Sequence, residues 1–177
     1  METFDYVIVG AGSAGSVLAA RLSEDEQVSV CVLEAGPRDW HPFIHIPAAV
    51  VTLIRHKTLN WCYNTVKQKH SSDRSVYIPR GRTLGGSSAI NGMIYMRGQA
   101  QDYDAWANAT GDYSWKWDAV LPYFKKMEDH HLGASEFHGA GGPWRVDKQR
   151  LKWKVLDVFR LAAAQAGIPA VDDFNRG

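Results

Sequence analysis

The chain has 177 residues, enough for one domain, or one and part of a second, at roughly 100–200 residues each. Its 20 Lys and Arg against 19 Asp and Glu leave a formal charge of +1, so the basic field of a nucleic-acid binder is missing. With 45% apolar and 11% aromatic residues, the composition also excludes a disordered chain.

The N-terminus, Met1 to Asp5, is acidic and runs directly into Tyr6-Val7-Ile8-Val9, which leaves no room for a secretory leader. Phe4 to Val9 reads as a buried parallel strand, Ser13 to Ser23 as a helix with Ala14, Val17, Leu18 and Leu22 on one face, and Val28 to Leu33 as a second strand. This order is a βαβ unit. Between Pro37 and Thr58 the chain is irregular, with one apolar helix over Ala48 to Arg55. Asn60 to Val66 and Ser75 to Ile78 flank a polar turn, Lys67 to Arg74, and predict a β-hairpin.

Gly81, Gly85, Gly86, Gly92 and Gly98 then crowd one segment, as in backbone that bends tightly or lies against something. Ser114 is the expected N-cap of a helix reaching about Asp129, with Pro122 imposing a kink or a later start. Leu151 to Ala166 predicts an amphipathic helix stopped by Gly167, with Pro169 beyond. No apolar run approaches the ~18 residues of a membrane span. The longest, Ile44 to Ile54, contains His45, Pro47 and Thr52. Cys31 and Cys62 make no disulfide framework, and a reducing compartment, the cytoplasm, is expected.

Two motifs carry chemistry. Gly10-Ala11-Gly12-Ser13-Ala14-Gly15 ends a strand and opens a helix, and Glu34 closes the next strand 19 residues after Gly15. Gly10 suits the tight turn, Gly12 lets the backbone approach a pyrophosphate, and Gly15 lets the helix pack on the sheet. Phosphates would sit on the helix N-terminus, and Glu34 would accept from ribose hydroxyls. The bland alternative is a structural glycine turn, and the motif alone does not choose between NAD and FAD.

The second motif, Gly81-Arg82-Thr83-Leu84-Gly85-Gly86-Ser87-Ser88-Ala89-Ile90-Asn91, continues through Gly92-Met93-Ile94 to Gly98 and Asp104. It resembles the N-terminal signature of the glucose-methanol-choline (GMC) flavin oxidoreductases. The resemblance extends over Glu34-Ala35-Gly36, Asn60-Trp61, Asp102 to Trp106, Trp117, Leu121 to Phe124, His138-Gly139 and Gly142-Pro143, and is closest to bacterial alcohol and choline dehydrogenases.

The resemblance implies an α/β fold: a Rossmann-like FAD-binding βαβ unit with a glycine-rich flavin-cradling segment, then the start of an α+β substrate domain, in an incomplete chain. Residues 1–110 would belong to the FAD-binding domain and 111–177 to the substrate or cap region. It assigns Gly10, Gly12, Ser13, Ala14, Gly15, Glu34 and Ala35 to the ADP half of FAD. Arg82, Thr83, Leu84, Gly85, Gly86, Ser87, Asn91, Gly92, Met93 and Ile94 fall to the flavin half, with Trp61 nearby. Gly85 and Gly86 would let main chain pass close to the pyrophosphate or ring. Members that attach FAD covalently carry a histidine where this chain has Ile90, so FAD is expected to be held non-covalently.

The implied activity is oxidation of an alcohol, a primary alcohol or choline, to an aldehyde, with hydride passing to flavin N5 and electrons to a quinone, dye or oxygen. Quinone-linked relatives make a peripheral position at the inner membrane face compatible with this. The family's catalytic base lies farther along a longer chain, so no catalytic residue is assigned here. Alternatives are an NAD-linked dehydrogenase, which leaves the Gly81 to Gly98 signature unexplained, and a non-catalytic nucleotide-binding module complete at Gly177.

The seven histidines form no metal-ligand pattern, and no metal is expected. The seven tryptophans read as packing anchors, although Trp61 in an aromatic cage would favour choline. With only two parallel strands, one edge and much of one sheet face are expected to be open.

Overall fold

Two short runs of mostly apolar residues, β1 (Tyr6–Val9) and β2 (Val30–Leu33), pair in parallel from Tyr6 opposite Val30 to Val9 opposite Leu33. A parallel pair needs a crossover, and α1 (Ser13–Leu22) supplies it. The computed structural model describes residues 2–176; Met1 and Gly177, the termini named above, lie outside the described residues. Both strands are shorter than their sequence runs. Asp5 bonds Ser29 through backbone and side chain, so a side-chain staple replaces ladder at that end.

Contacts divide the chain into two units, Met1–Ile94 and Tyr95–Gly177. In the first, α1 lies on β1 because Gly15 has no side chain: a Cβ there would stand 1.9 Å from the Gly10 carbonyl oxygen. A small core of Leu53, Leu59 and Ile90, flanked by Ile44 and Ala89, supports the irregular stretch. The expected helix at 48–55 is reduced to one turn, α2 (Val50–Leu53), preceded by 3-10 turns at Pro42–His45 and Pro47–Ala49, each starting on a proline. The hairpin forms between β3 (Tyr63–Asn64) and β4 (Tyr77–Ile78). Buried Asn60 organises its base: its Oδ1 accepts from Cys62 N and Arg80 N, and its Nδ2 donates to the Ile54 carbonyl at 2.7 Å. Val7, Val9 and Leu33 are exposed, so the two-stranded sheet is open as expected.

The second unit contains α3 (Ala100–Thr110), absent from the sequence reading because its apolar face is weak. Its first turn is closed by Asp102, which accepts from Gln99 N at 2.8 Å, and its end by Gly111 at φ +73. The next helix corrects the expected start at Ser114. Asp112 caps a 3-10 turn, Tyr113–Trp115, and α4 (Trp117–Met127) begins later, with Trp117 N bonded to Asp104; Pro122 stays inside it. Nor does α4 reach Asp129, because Glu128 turns extended and starts β5 (Glu128–His130), parallel to β6 (Trp144–Val146).

In α5 (Lys154–Gln165), Gly167 N bonds Ala164 O and Ile168 N bonds Ala163 O, the expected glycine stop. The tryptophans correct another expectation. Only Trp117 is buried, and the other six are largely exposed, although Trp106, Trp115, Trp117, Tyr103 and Phe124 do form one aromatic cluster.

Buried charge organises this second unit. Glu128, fully buried, accepts from Arg97 Nη2 at 2.8 Å, from Gly139 N at 2.8 Å and from His138 Nδ1 at 2.9 Å. His138 Nε2 lies 2.7 Å from Asp173 Oδ2. Burial alone would raise the Glu128 pKa, but the Gly139 N–H, the His138 bond and the Arg97 charge outweigh it and hold it below the usual value. At Asp173 burial is likewise outweighed, by the His138 bond, the Asn175 N–H and the charges of His138 and His130. Burial and the charges of His138 and His131 push His130 down.

The close approach at Gly15 predicts that Gly15→Ala lowers stability by about 1–3 kcal/mol or more, measured by urea denaturation. A carboxylate whose pKa is depressed on folding adds stability above its unfolded pKa and loses it as pH falls through the folded value. The melting temperature should therefore fall as pH drops from ~5 toward ~3. Removing the charge by Glu128→Gln should cost about 3–5 kcal/mol and flatten that dependence, both read by circular dichroism.

Candidate functional site

The β1–α1 turn presents backbone rather than side chains. Gly10 takes φ +91, a conformation disfavoured for other residues, and its N–H bonds the Leu33 carbonyl at 2.7 Å. Gly12 is the N-cap of α1 and offers no side chain to the helix end. The first turn holds no acid. The free amides at Ser13, Ala14 and Gly15 and the positive end of the helix dipole are therefore left to attract an anion.

Glu34 continues from β2 toward this turn. Its Oε2 accepts from Ala11 N and its Oε1 from Gly36 N, each at 2.8 Å. Each oxygen keeps a second lone pair for a hydroxyl, while the two amides fix the carboxylate in place.

The second glycine segment is bolted to the first. Gly85 N donates to the Ala11 carbonyl at 2.8 Å, and the hydroxyls of Ser13 and Ser88 bond each other. A Cβ on Gly86 would lie 2.7 Å from Gly12 Cα. This revises the reason for the glycine pair: Gly86 is small because Gly12 is against it, and Gly85 is glycine because it adopts φ +84. Thr83 is fully buried with its hydroxyl on the Pro37 carbonyl at 2.8 Å, and Leu84 N reaches the same carbonyl at 3.1 Å. Thr83 is thus turned into the fold rather than toward a ligand.

A cleft of about 380 Å³ opens where these pieces meet. It brings together Gly10, Gly12, Ser13, Glu34, Ala35, Trp61, Gly86 and Ser87 of the expected residues, and adds Val9, Leu33 and Gly81. Val9 and Leu33 end the two strands, a positional signal that the motif patterns did not include, and Gly81 opens the second motif. Ala14, Gly15, Thr83, Leu84 and Gly85 stand outside the lining.

Arg82 lines a neighbouring cleft of about 550 Å³ with Trp61, its guanidinium 5.2 Å from the Trp61 ring centroid. Its Nε is buried without a hydrogen-bond partner. Asn91, Gly92, Met93 and Ile94 are exposed. Asn91 Oδ1 accepts from Met93 N at 2.8 Å, which makes Asn91 a turn residue that supports Met93 at φ +56.

Among the described residues one cluster of possible metal ligands gathers, Glu128, His130 and His138. The His130 and His138 rings stack with centroids 3.9 Å apart and planes 18° apart, so their faces, not their nitrogen edges, oppose each other. Glu128 is already taken by Arg97 and Gly139. The arrangement is that of an ion-pair network.

Residues 4–177 match the family model described as GMC oxidoreductase. The chain is 47% identical over 173 residues to the alcohol dehydrogenase (acceptor) of Pseudomonas putida, covering 97% of this chain and 30% of that protein. It is 44% identical over 183 residues to the mitochondrial choline dehydrogenase of Homo sapiens, covering 98% and 30%. The fold matches the crystal structure of pyridoxine 4-oxidase from Mesorbium loti with a TM-score of 0.93 and 42% identity, over 99% of this chain and 34% of that one. Formate oxidase gives a TM-score of 0.84 at 32% identity, over 98% and 32%. The chain thus spans about 30% of the length of its curated relatives. It belongs to the GMC oxidoreductase family, as the N-terminal FAD-binding part.

Proposed function

We propose that the cleft at the meeting of the two glycine segments holds FAD non-covalently and that the whole enzyme oxidises an alcohol CH–OH group. The observation that carries this reading is the cradle itself: an uncapped helix N-terminus, glycines where a ligand approaches, and a fixed carboxylate at the end of β2. The residues fit the cofactor. Gly12, Ser13, Ala14 and Gly15 offer amides to a pyrophosphate across the turn that Gly10 makes, while Glu34, beside Ala35, offers lone pairs to a ribose. Arg82 through Ser87 and Asn91 through Ile94 serve the flavin half with Trp61 alongside; the buried, unpartnered Arg82 Nε marks a donor awaiting an acceptor. Thr83 acts through the backbone it anchors.

Non-covalent attachment is supported by Ile90, an aliphatic side chain buried against Leu53 and Leu59. FAD supplies the hydride-accepting chemistry when bound; this chain's residues bind, orient and shield it. A primary alcohol or choline is the proposed substrate, giving an aldehyde, with a quinone, dye or oxygen as the electron acceptor. Residues 1–110 are assigned to the FAD-binding domain and 111–177 to the start of the substrate region. Among the described residues no helix is long and apolar enough to cross a membrane. A cytoplasmic position, peripheral to the inner membrane where the acceptor is a quinone, goes with this reading.

Titrating FAD into the chain should quench flavin fluorescence saturably, whereas NAD should not compete. Glu34→Gln should weaken FAD roughly tenfold and leave FMN, which lacks the adenosine ribose, unaffected. Binding of NAD with no binding of FAD would overturn the assignment.

A further inference from the structure

Asn60 and Gly81 form an isolated antiparallel bridge, flanked by Trp61 N on the Arg80 carbonyl at 2.9 Å and Arg82 N on the Leu59 carbonyl at 2.8 Å. Side chains alternate across such a pair, so Trp61 and Arg82 are diagonal neighbours on one face. Tyr63 stacks on the Trp61 ring with planes 5° apart, and the Tyr77 hydroxyl donates to the Ile54 carbonyl at 2.7 Å. These contacts hold Trp61 and Tyr77 as aromatic walls of the cleft of about 550 Å³, a size that suits a whole small molecule.

Three cations line that cleft, Arg55, Lys57 and Arg82, and no carboxylate does. Among the described residues none of the three is in an ion pair. Arg55 and Lys57 are exposed, and water can serve them. Arg82 differs: it is half-buried, and its Nε is buried with no hydrogen-bond partner. A buried donor normally has an acceptor, and a guanidinium stays charged at any working pH. By its backbone Arg82 belongs to the cofactor segment, but its side chain does not line the cofactor cleft. It stands on the other side of Trp61, the residue common to both clefts.

We propose that this cleft is an oxyanion subsite: Arg82, Arg55 and Lys57 take a phosphate or carboxylate head, and the flat body of the ligand lies along Trp61 and Tyr77. The planar guanidinium fork matches such a head. A quaternary ammonium is the wrong ligand, because three cations repel it and Arg82 already stands 5.2 Å from the Trp61 ring centroid. One consequence rests on the FAD reading: in the whole enzyme this cleft would select an alcohol bearing an oxyanion over choline.

The test is made on the chain without FAD, following the Arg82 Nε–H and the amides of Ser13 to Gly15 by proton–nitrogen correlation. Phenyl phosphate should shift the Arg82 Nε–H saturably, inorganic phosphate should bind at least about tenfold more weakly, and choline should cause no shift. Arg55→Gln combined with Lys57→Gln should weaken phenyl phosphate at least about tenfold and leave FAD binding unchanged. Both side chains are exposed, so the double variant should fold. The proposal is overturned by no saturable shift at Arg82, by a response confined to Ser13 to Gly15, or by choline binding as tightly as phenyl phosphate. Displacement of phenyl phosphate by FAD would also overturn it, since the Arg82 side chain would then serve the cofactor. Failure of FAD to bind leaves the Arg82 response standing and counts against the cofactor reading alone.

Discussion

Gly86 stands so close to Gly12 that a Cβ on Gly86 would lie 2.7 Å from the Gly12 Cα. The cofactor cradle proposed for the first unit depends on that approach. It brings a segment more than seventy residues away onto the turn between β1 and α1, and the Gly85 to Ala11 hydrogen bond fixes the register. The adjoining glycines obey the same constraint. A Cβ on Gly36 would strike the Arg82 carbonyl, and one on Gly81 the Gly86 carbonyl. The site is therefore a floor of interlocked main chain, on which Glu34 and the serines are the main polar side chains.

The sequence made this floor readable because its parts are local. A strand, a glycine turn and a helix follow one another within twenty residues, and the acid lies at the end of the next strand. What it did not disclose was the purpose of some residues. Gly85, Gly86 and Thr83 look like ligand contacts in one dimension; in three they answer to Gly12, to a left-handed backbone and to Pro37. Asn91 is engaged with its own turn.

The second unit was less legible for a related reason. Helix α3 has little amphipathic contrast, and the β5–β6 pair is three residues long and parallel across a gap, so neither leaves a periodic trace. The buried cluster of Arg97, Glu128, His138 and Asp173 is invisible to any window, because its members are spread over more than seventy residues. Desolvating such charges costs more than an isolated pair returns, and here the complete set of donors around Glu128 offsets that cost. The two units rest on different physics: close backbone contact in one, satisfied buried charge in the other. Neither depends on a large apolar core, since most tryptophans are exposed and α5 buries no residue.

The Pro37 carbonyl receives both the Thr83 hydroxyl and Leu84 N. The chain thus departs from the cradle at 37 and returns to it at 83, and this one carbonyl clasps both ends. Closing a longer excursion would add only about 0.6 kcal/mol for each doubling of its length. Leu53 and Leu59 of that stretch pack on Ile90, Trp61 lines the cleft and Gly81 meets Gly86, so the part that can be lengthened, shortened or exchanged with little strain is the polar turn between β3 and β4. That makes it the natural place to graft new recognition onto an otherwise fixed nucleotide cradle.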